Sequence, residues 1–495
     1  MTATLDGPTT VSPVLEPPAE PTPRGPWLGF AVVLAALIMN LLDSTILNVG
    51  APTIQRDLAM SSSAVEWVAA AYTLAIAVGL ITGGRLGDMF GRKRTLLLGL
   101  GGFVTASALC AVAWSSSALI GARILQGLAA ALITPQGFGL IRDLFPREKM
   151  TQAFAALGPV IGLSTVLGPI VAGALLKADL FGTGWRSLFL INLPLGVFAL
   201  VVGARVLPER TATAKPVRLD VLGTVLLGGV SFLLVFPLVD GRGLGWPLWI
   251  FGVLAATVPV LGVFVVQQRA RVRAGRQPLV EMSLLRKPSY LSGIVFVLVF
   301  FSVVVGFSLT VGLFLQIGLG MTPLHAALVL AASAVGAFVG SGVGAWAATA
   351  VGRPILHIGL TIMAAATGVL LFTLHGIDTA AAVHTIDLVP GLFVFGVGMG
   401  MIFVPLFSII MGEVDDHEVG SASGLLESLQ QLGASTGVAV LATLFFSTIG
   451  TGDGAAPVPG RELLAAERSL LVTLALIATT FAVGWFLPKK ARQLH

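Results

Sequence analysis

In a chain of 495 residues that is 56% apolar and 11% charged, ionisable side chains inside apolar runs are the first candidates for chemistry. Three stand out: Asp43, Arg123 and Glu427. A charge in hydrocarbon is costly, so each is expected to have a partner or a task. At 1.5 Å per residue, Asp43 lies about 9 Å inside the end of the first apolar run, and Arg123 about 9 Å inside the start of the fourth. The two opposite charges can therefore share one layer. Burial disfavours the charged carboxylate and the arginine favours it, so Asp43 could bind and release a proton as its surroundings change; a permanent ion pair is the competing reading. Glu427, in SGLLESLQQLG with Gln430 and Gln431 beside it, could hold an amphipathic cation or a second proton, or lie solvated near the headgroups. Asn40, Asn48, Tyr72, Gln136, Gln316 and Glu427 are candidate substrate contacts, although each polar group could equally bond a neighbouring helix.

The elements that position these residues follow from composition. A soluble chain of this length would carry roughly 124 charged side chains at the usual quarter share. Here there are 53, the sum of 29 basic and 24 acidic residues, too few to solvate a soluble enzyme of two or three domains. The reading is an all-α integral membrane protein. The single cysteine, Cys110, excludes an intrachain disulfide and any Cys-based metal site. A net charge of +5 implies no nucleic-acid partner, since basic loops on one membrane face produce it.

Residues 1–26 hold seven prolines and no apolar run, and are expected to be a disordered tail without a cleavable signal peptide. Fourteen apolar segments can each cross a ~30 Å hydrocarbon core. They fall near 27–49, 65–83, 95–114, 117–141, 152–176, 187–207, 220–239, 246–266, 289–314, 324–349, 355–374, 386–411, 424–447 and 468–487. Of the 29 Lys and Arg, 22 lie on the side of the termini, 6 on the other and Arg123 inside a span, which predicts cytoplasmic termini. All eight tryptophans fall near predicted span ends, as an interfacial belt requires. The basic stretch at 267–288 separates eight spans from six and is expected to lie against anionic headgroups, chiefly as a topology signal.

Other patterns suggest moving parts. In GRLGDMFGRKR, Gly84, Gly87 and Gly91 suit a tight reversal carrying Asp88 and the triplet Arg92, Lys93 and Arg94. The connection at 412–423 carries Glu413, Asp415, Asp416 and Glu418 without a base, and could latch onto that basic turn. The fifth run carries Gly158, Pro159, Gly162, Gly168, Pro169 and Gly173, which should bend it and let a neighbour pack close. No Gly-Lys dipeptide exists, hence no P-loop for ATP, and neither H-E-x-x-H nor G-x-S-x-G occurs. Secondary transport driven by an ion gradient, with no cofactor and no metal, is the economical reading. Import of a nutrient by symport is the alternative to export.

These motifs resemble the major facilitator superfamily, and within it the fourteen-span drug:proton antiporters. GRLGDMFGRKR resembles the signature between the second and third spans, with Met89 in place of a base. RILQG, containing Arg123, Gln126 and Gly127, resembles the fourth-span signature. STVLGPIVAG resembles the antiporter signature, with Ser164 and Ala172 replacing glycines, and LLDSTILNVGAP resembles that of the first span. The resemblance implies a six-helix bundle at 27–207, an added helix pair and linker at 208–288, a second bundle at 289–487 and a tail at 488–495. It also implies alternating access, Asp43 as protonation site with Arg123 as coupling partner, a cytoplasmic latch, a fifth-span hinge at the bundle interface, and amphipathic substrates exchanged for protons across a bacterial plasma membrane.

Overall fold

The computed structural model describes residues 25–145, 168–209, 219–241, 243–276, 278–375, 377, 383–411, 414, 419–450 and 460–487. Among these, thirteen helices are long and apolar enough to cross a membrane, and a shorter apolar helix stands where the fifth span is expected. In chain order they are α1 (Pro26–Asp57), α2 (Ser62–Phe90), α3 (Arg92–Ala111), α4 (Ser116–Leu144), α5 (Gly168–Ala178), α6 (Asn192–Val206) and α7 (Val221–Asp240). They continue with α8 (Leu248–Arg273), α9 (Pro288–Leu313), α10 (Pro323–Val351), α11 (Pro354–His375), α12 (Thr385–Ile410), α13 (Val419–Ile449) and α14 (Glu462–Gly484). Local chemistry sets several ends: Pro26 and Pro288 start α1 and α9, and the hydroxyls of Ser61 and Ser115 cap α2 and α4 by accepting from Ala64 N and Ala118 N.

Two six-helix bundles share one packing scheme. In the first, α2 packs on α4, α3 on α4 and α6, and α1 on α6; eight helices later, α10 packs on α12, α11 on α12 and α14, and α9 on α14. The bundles meet chiefly where α2 lies along α13, and α7 of the added pair covers that seam by packing on both, with α8 packed on α7. The first and last helices begin and end at one end of the array, here the near end. The far end carries the connections between α1 and α2, α5 and α6, and α7 and α8.

Two expectations change. The stretch from Gly84 is not a loop: α2 stays helical through Phe90, and the reversal falls at Gly91, whose φ of 90° suits glycine. Gly87 serves packing instead, because a Cβ there would strike the Gln136 side chain. The stretch 267–288 is likewise more than an exposed linker. Its first residues complete α8, and Leu279, Val280 and Leu284 are buried in the core of the second bundle. Polar bonds fix it there: Gln268 Oε1 accepts from the N–H groups of Leu279 and Val280 at 2.6 and 3.1 Å, and Arg85 of α2 donates to the Pro278 carbonyl. Asp220, capping α7, joins the node by accepting from Gly223 N, Gln267 and Gln268 and pairing with Arg271 at 3.3 Å. Apolar residues within a basic stretch thus bury themselves while the bases stay at the rim.

Candidate functional site

Asp43 and Arg123 meet inside the first bundle, each 1% exposed, with Arg123 Nη1 at 2.5 Å from Asp43 Oδ2. The other carboxylate oxygen accepts from Gln126 Nε2 at 2.7 Å and Asn192 Nδ2 at 2.9 Å. Arg123 also donates from Nη1 to Gln126 Oε1 at 2.7 Å and from Nε to the Val68 carbonyl at 3.1 Å. Its guanidinium lies 4.0 Å from the centroid of the Tyr72 ring. Ser107 Oγ of α3 accepts from both amides, at 2.8 Å from Gln126 and 3.3 Å from Asn192. One carboxylate therefore gathers donors from α4 and α6, and such a net offsets the cost of burying two charges.

The local sequence explains the convergence. Arg123 and Gln126 are three residues apart, so they share one face of α4. Gly127 follows, and a Cβ there would collide with the Tyr72 backbone carbonyl, so glycine lets α4 approach α2 closely enough for Arg123 to reach Val68. Tyr72 extends the network by donating to Asn40 Oδ1, and Asn40 Nδ2 donates to Thr134 Oγ1 at 2.9 Å. Gln136, in contrast, is shut between α2 and α4, donating to the Gly83 carbonyl at 2.8 Å.

Glu427 is separate from this net. It sits half-buried on α13, two turns from Val419, with Gln431 in hydrogen-bond reach. Gln316 lies in the π-helical turn Phe314–Gly318 that continues α9, and its amide makes a long 3.4 Å bond to the Gly312 carbonyl. The side chain of Asn48 lies outside the described residues.

At the near end, Arg92 pairs with Asp143 at 3.1 Å and donates to the Gly139 carbonyl within the first bundle, while Lys93 approaches Glu209, just past α6, at 3.5 Å. Asp88 and Arg94 are exposed, and Gly84 lies in ordinary contact range of Pro135. Glu413, Asp415, Asp416 and Glu418 lie outside the described residues, as do Gly158, Pro159, Gly162 and the tails 1–24 and 488–495. Of the fifth-span group, Gly168 and Pro169 are buried, Gly168 against Thr45 of α1; a Cβ on Gly173 would meet the Leu324 backbone of α10, across the bundle interface. Among the described residues no cluster of His, Cys, Asp or Glu could hold a metal ion.

Sequence reasoning missed Asn192, Ser107 and Glu66. Asn192, in the apolar run FLINLP, is the polar intruder that could have been found. Glu66 is 1% exposed near the far end of α2, at the start of the apolar run.

Two like bundles of apolar helices, the first holding a buried ion pair, define a multi-pass membrane transporter. Residues 33–438 match the model of the Major Facilitator Superfamily, and the chain belongs to that family. It is a transporter rather than an enzyme. The chain is 46% identical over 459 residues to the probable actinorhodin transporter of Streptomyces coelicolor, covering 90% of this chain and 78% of that protein. It is 34% identical over 441 residues to the tetracenomycin C resistance and export protein of Streptomyces glaucescens, covering 89% and 79%. To the puromycin resistance protein pur8 of Streptomyces alboniger it is 34% identical over 451 residues, covering 88% and 84%. Among solved structures it shares its fold with a bacterial homologue of the human drug peptide transporters, at a TM-score of 0.63 and 16% identity, covering 92% of this chain and 98% of that one.

Proposed function

We propose that this chain is a proton-coupled antiporter that exports amphipathic, drug-like or antibiotic compounds, cations among them, across a bacterial plasma membrane, with both termini cytoplasmic. Asp43 is the carrying observation: a fully buried carboxylate whose charge is matched by Arg123 and held by amides of α4 and α6. Protonating it removes the ion pair, frees the guanidinium and unbalances three helices, so one proton has a large structural consequence. The export direction is supported by one relative named for resistance and export and another named for resistance.

Glu427, Gln316, Tyr72, Asn40 and Asn48 are the substrate contacts of this reading, whereas Gln136, shut between α2 and α4, serves helix packing instead. The fifth-span residues Gly158, Pro159, Gly162, Gly168, Pro169 and Gly173 form its hinge. Gly84, Asp88, Gly91, Arg92, Lys93 and Arg94 form its cytoplasmic latch, closing on the acidic connection at 412–423. The proton gradient is its energy source and no cofactor is needed. Exchange of one proton for one monovalent cation moves no net charge and draws about 1.4 kcal/mol per pH unit. A second proton on Glu427 would add about 2.3 kcal/mol per 100 mV of membrane potential.

Proton release from proteoliposomes challenged with lipophilic cations and antibiotics tests the reading. Wild type is expected to release protons with substrate, and Asp43→Asn to bind substrate without releasing them. Release that persists in Asp43→Asn would remove Asp43 from the mechanism, and substrate flowing inward with protons would replace export by import. Glu427→Gln is expected to make cation export less sensitive to membrane potential; unchanged voltage dependence would leave Glu427 as a substrate contact.

A further inference from the structure

At the far end, three helices meet on one hydroxyl. Thr443 Oγ1 of α13 lies 2.9 Å from Glu66 Oε2 of α2 and 2.8 Å from the Leu238 carbonyl of α7. Both acceptors belong to one wall, because α7 is pinned to α2 along its length. Ser63 Oγ donates to the Val239 carbonyl at 3.3 Å, Trp67 Nε1 donates to Asp240 at 2.7 Å, and Thr82 and Thr224 share a hydrogen bond of 2.8 Å towards the near end. The donor belongs to the second bundle, since α13 packs most heavily on α9. Towards the same end, a small apolar cavity lies between the bundles, lined by Leu47, Ala51 and Ile54 of α1, Val65 and Val68 of α2 and Leu309 of α9.

We propose that Thr443, held by Glu66 and the Leu238 carbonyl, is the latch that keeps the far side of the transporter shut, and that α7–α8 moves with the first bundle as part of the surface it grips. A hydroxyl has one proton for two acceptors, so the latch has the strength of a single hydrogen bond to a charged or polar group. That suits a contact broken once per transport cycle, whereas a multidentate ion pair there would trap the closed state. Two residues along α2 from Glu66, the Val68 carbonyl accepts from Arg123. The same turn of α2 therefore faces the buried ion pair on one side and the latch on the other, so a shift of Arg123 is felt at Thr443. Glu66 and Thr443 act as positioning residues and need not touch substrate.

The proposal rests on the transport reading above, and its test is independent of proton flux. The one native cysteine, Cys110, is buried, so a single reactive thiol can be placed in the lining of that cavity as Ala51→Cys. In right-side-out vesicles, an impermeant maleimide is expected to label Ala51→Cys slowly, and about three- to tenfold faster when Thr443→Val is added, the effect of losing one such bond. Thr443→Ser, which keeps the hydroxyl, is expected to restore the slow rate. Should Thr443→Val fail to accumulate, Thr443→Ala carries the same expectation. Labelling of the valine or alanine variant at the parent rate, or of the serine variant at the valine rate, would overturn the latch. Faster labelling in Thr443→Val would sustain it even if Asp43→Asn still released protons, so the two readings fail separately.

Discussion

The first bundle buries a charged pair in a net of amides, whereas the second buries backbone carbonyls against glycine. In α10 and α12 the glycines at 336, 340, 396 and 400 each sit where a Cβ would strike a backbone carbonyl of the facing helix. Several buried hydroxyls in the second bundle turn back on their own helices, as Thr310 donates to Gly306, Thr367 to Met363, Ser469 to Ala465 and Thr473 to Ser469, while Ser302 and Tyr290 reach the Gly433 and Ala422 carbonyls of α13. The same packing scheme thus serves two purposes. Dispersion and close backbone approach hold the second bundle as a shaped body, while the first also carries a group whose charge can change.

The largest expected effect falls on the charged net. Arg123→Leu leaves Asp43 buried and uncompensated, which should lower stability by about 3–5 kcal/mol and stop transport. Adding Asp43→Leu should recover much of the lost melting temperature without restoring activity. An Arg123→Leu protein that melts with wild type would erase the contrast between the bundles.

The glycine side of the comparison predicts a smaller loss. Gly396→Ala places a methyl against the Ser333 carbonyl and should cost about 1–3 kcal/mol through forced separation of α10 and α12. Gly368→Ala in α11, with open space around its Cβ, should be neutral or slightly stabilising by helix propensity. Equal melting temperatures for the two variants would show that close approach is not what holds the second bundle.

The smallest effect lies at the node that joins the added pair and the connecting stretch to both bundles. Burial alone would raise the Asp220 carboxyl, but the Gly223 N–H, the amides of Gln268 and Gln267, and Arg271 hold it below its ordinary value of 3.8. A carboxylate lowered in the folded state stabilises fully above that ordinary value, and the contribution disappears as pH falls through the folded one. The melting difference between wild type and Asp220→Asn should therefore be constant from pH 7 to 5 and shrink below 3.8. A difference that grew on acidification would mean that the node holds a neutral carboxyl.

Much of this was legible along the chain. The spans follow from apolar run length, and the depths of Asp43 and Arg123 follow from helix rise, so their shared layer was accessible without coordinates. The buried part of residues 267–288 went unread because charge dominated the pattern, and Leu279, Val280 and Leu284 are too short a run to signal a core. Glu66 was missed for the opposite reason: its position near a helix start gave no hint that α7 and α13 cover it.

Composition and periodicity determine how many helices there are, which are apolar throughout, and which rare charges must be accommodated, because solvation by lipid acts on each segment separately. Partners are another matter. Asn192 lies 149 residues from Asp43, and Thr443 lies 377 from Glu66. No local rule couples positions so far apart, and only the packing of α6 onto the first bundle and of α13 against α2 decided which amide completes the carboxylate and which hydroxyl closes the far end.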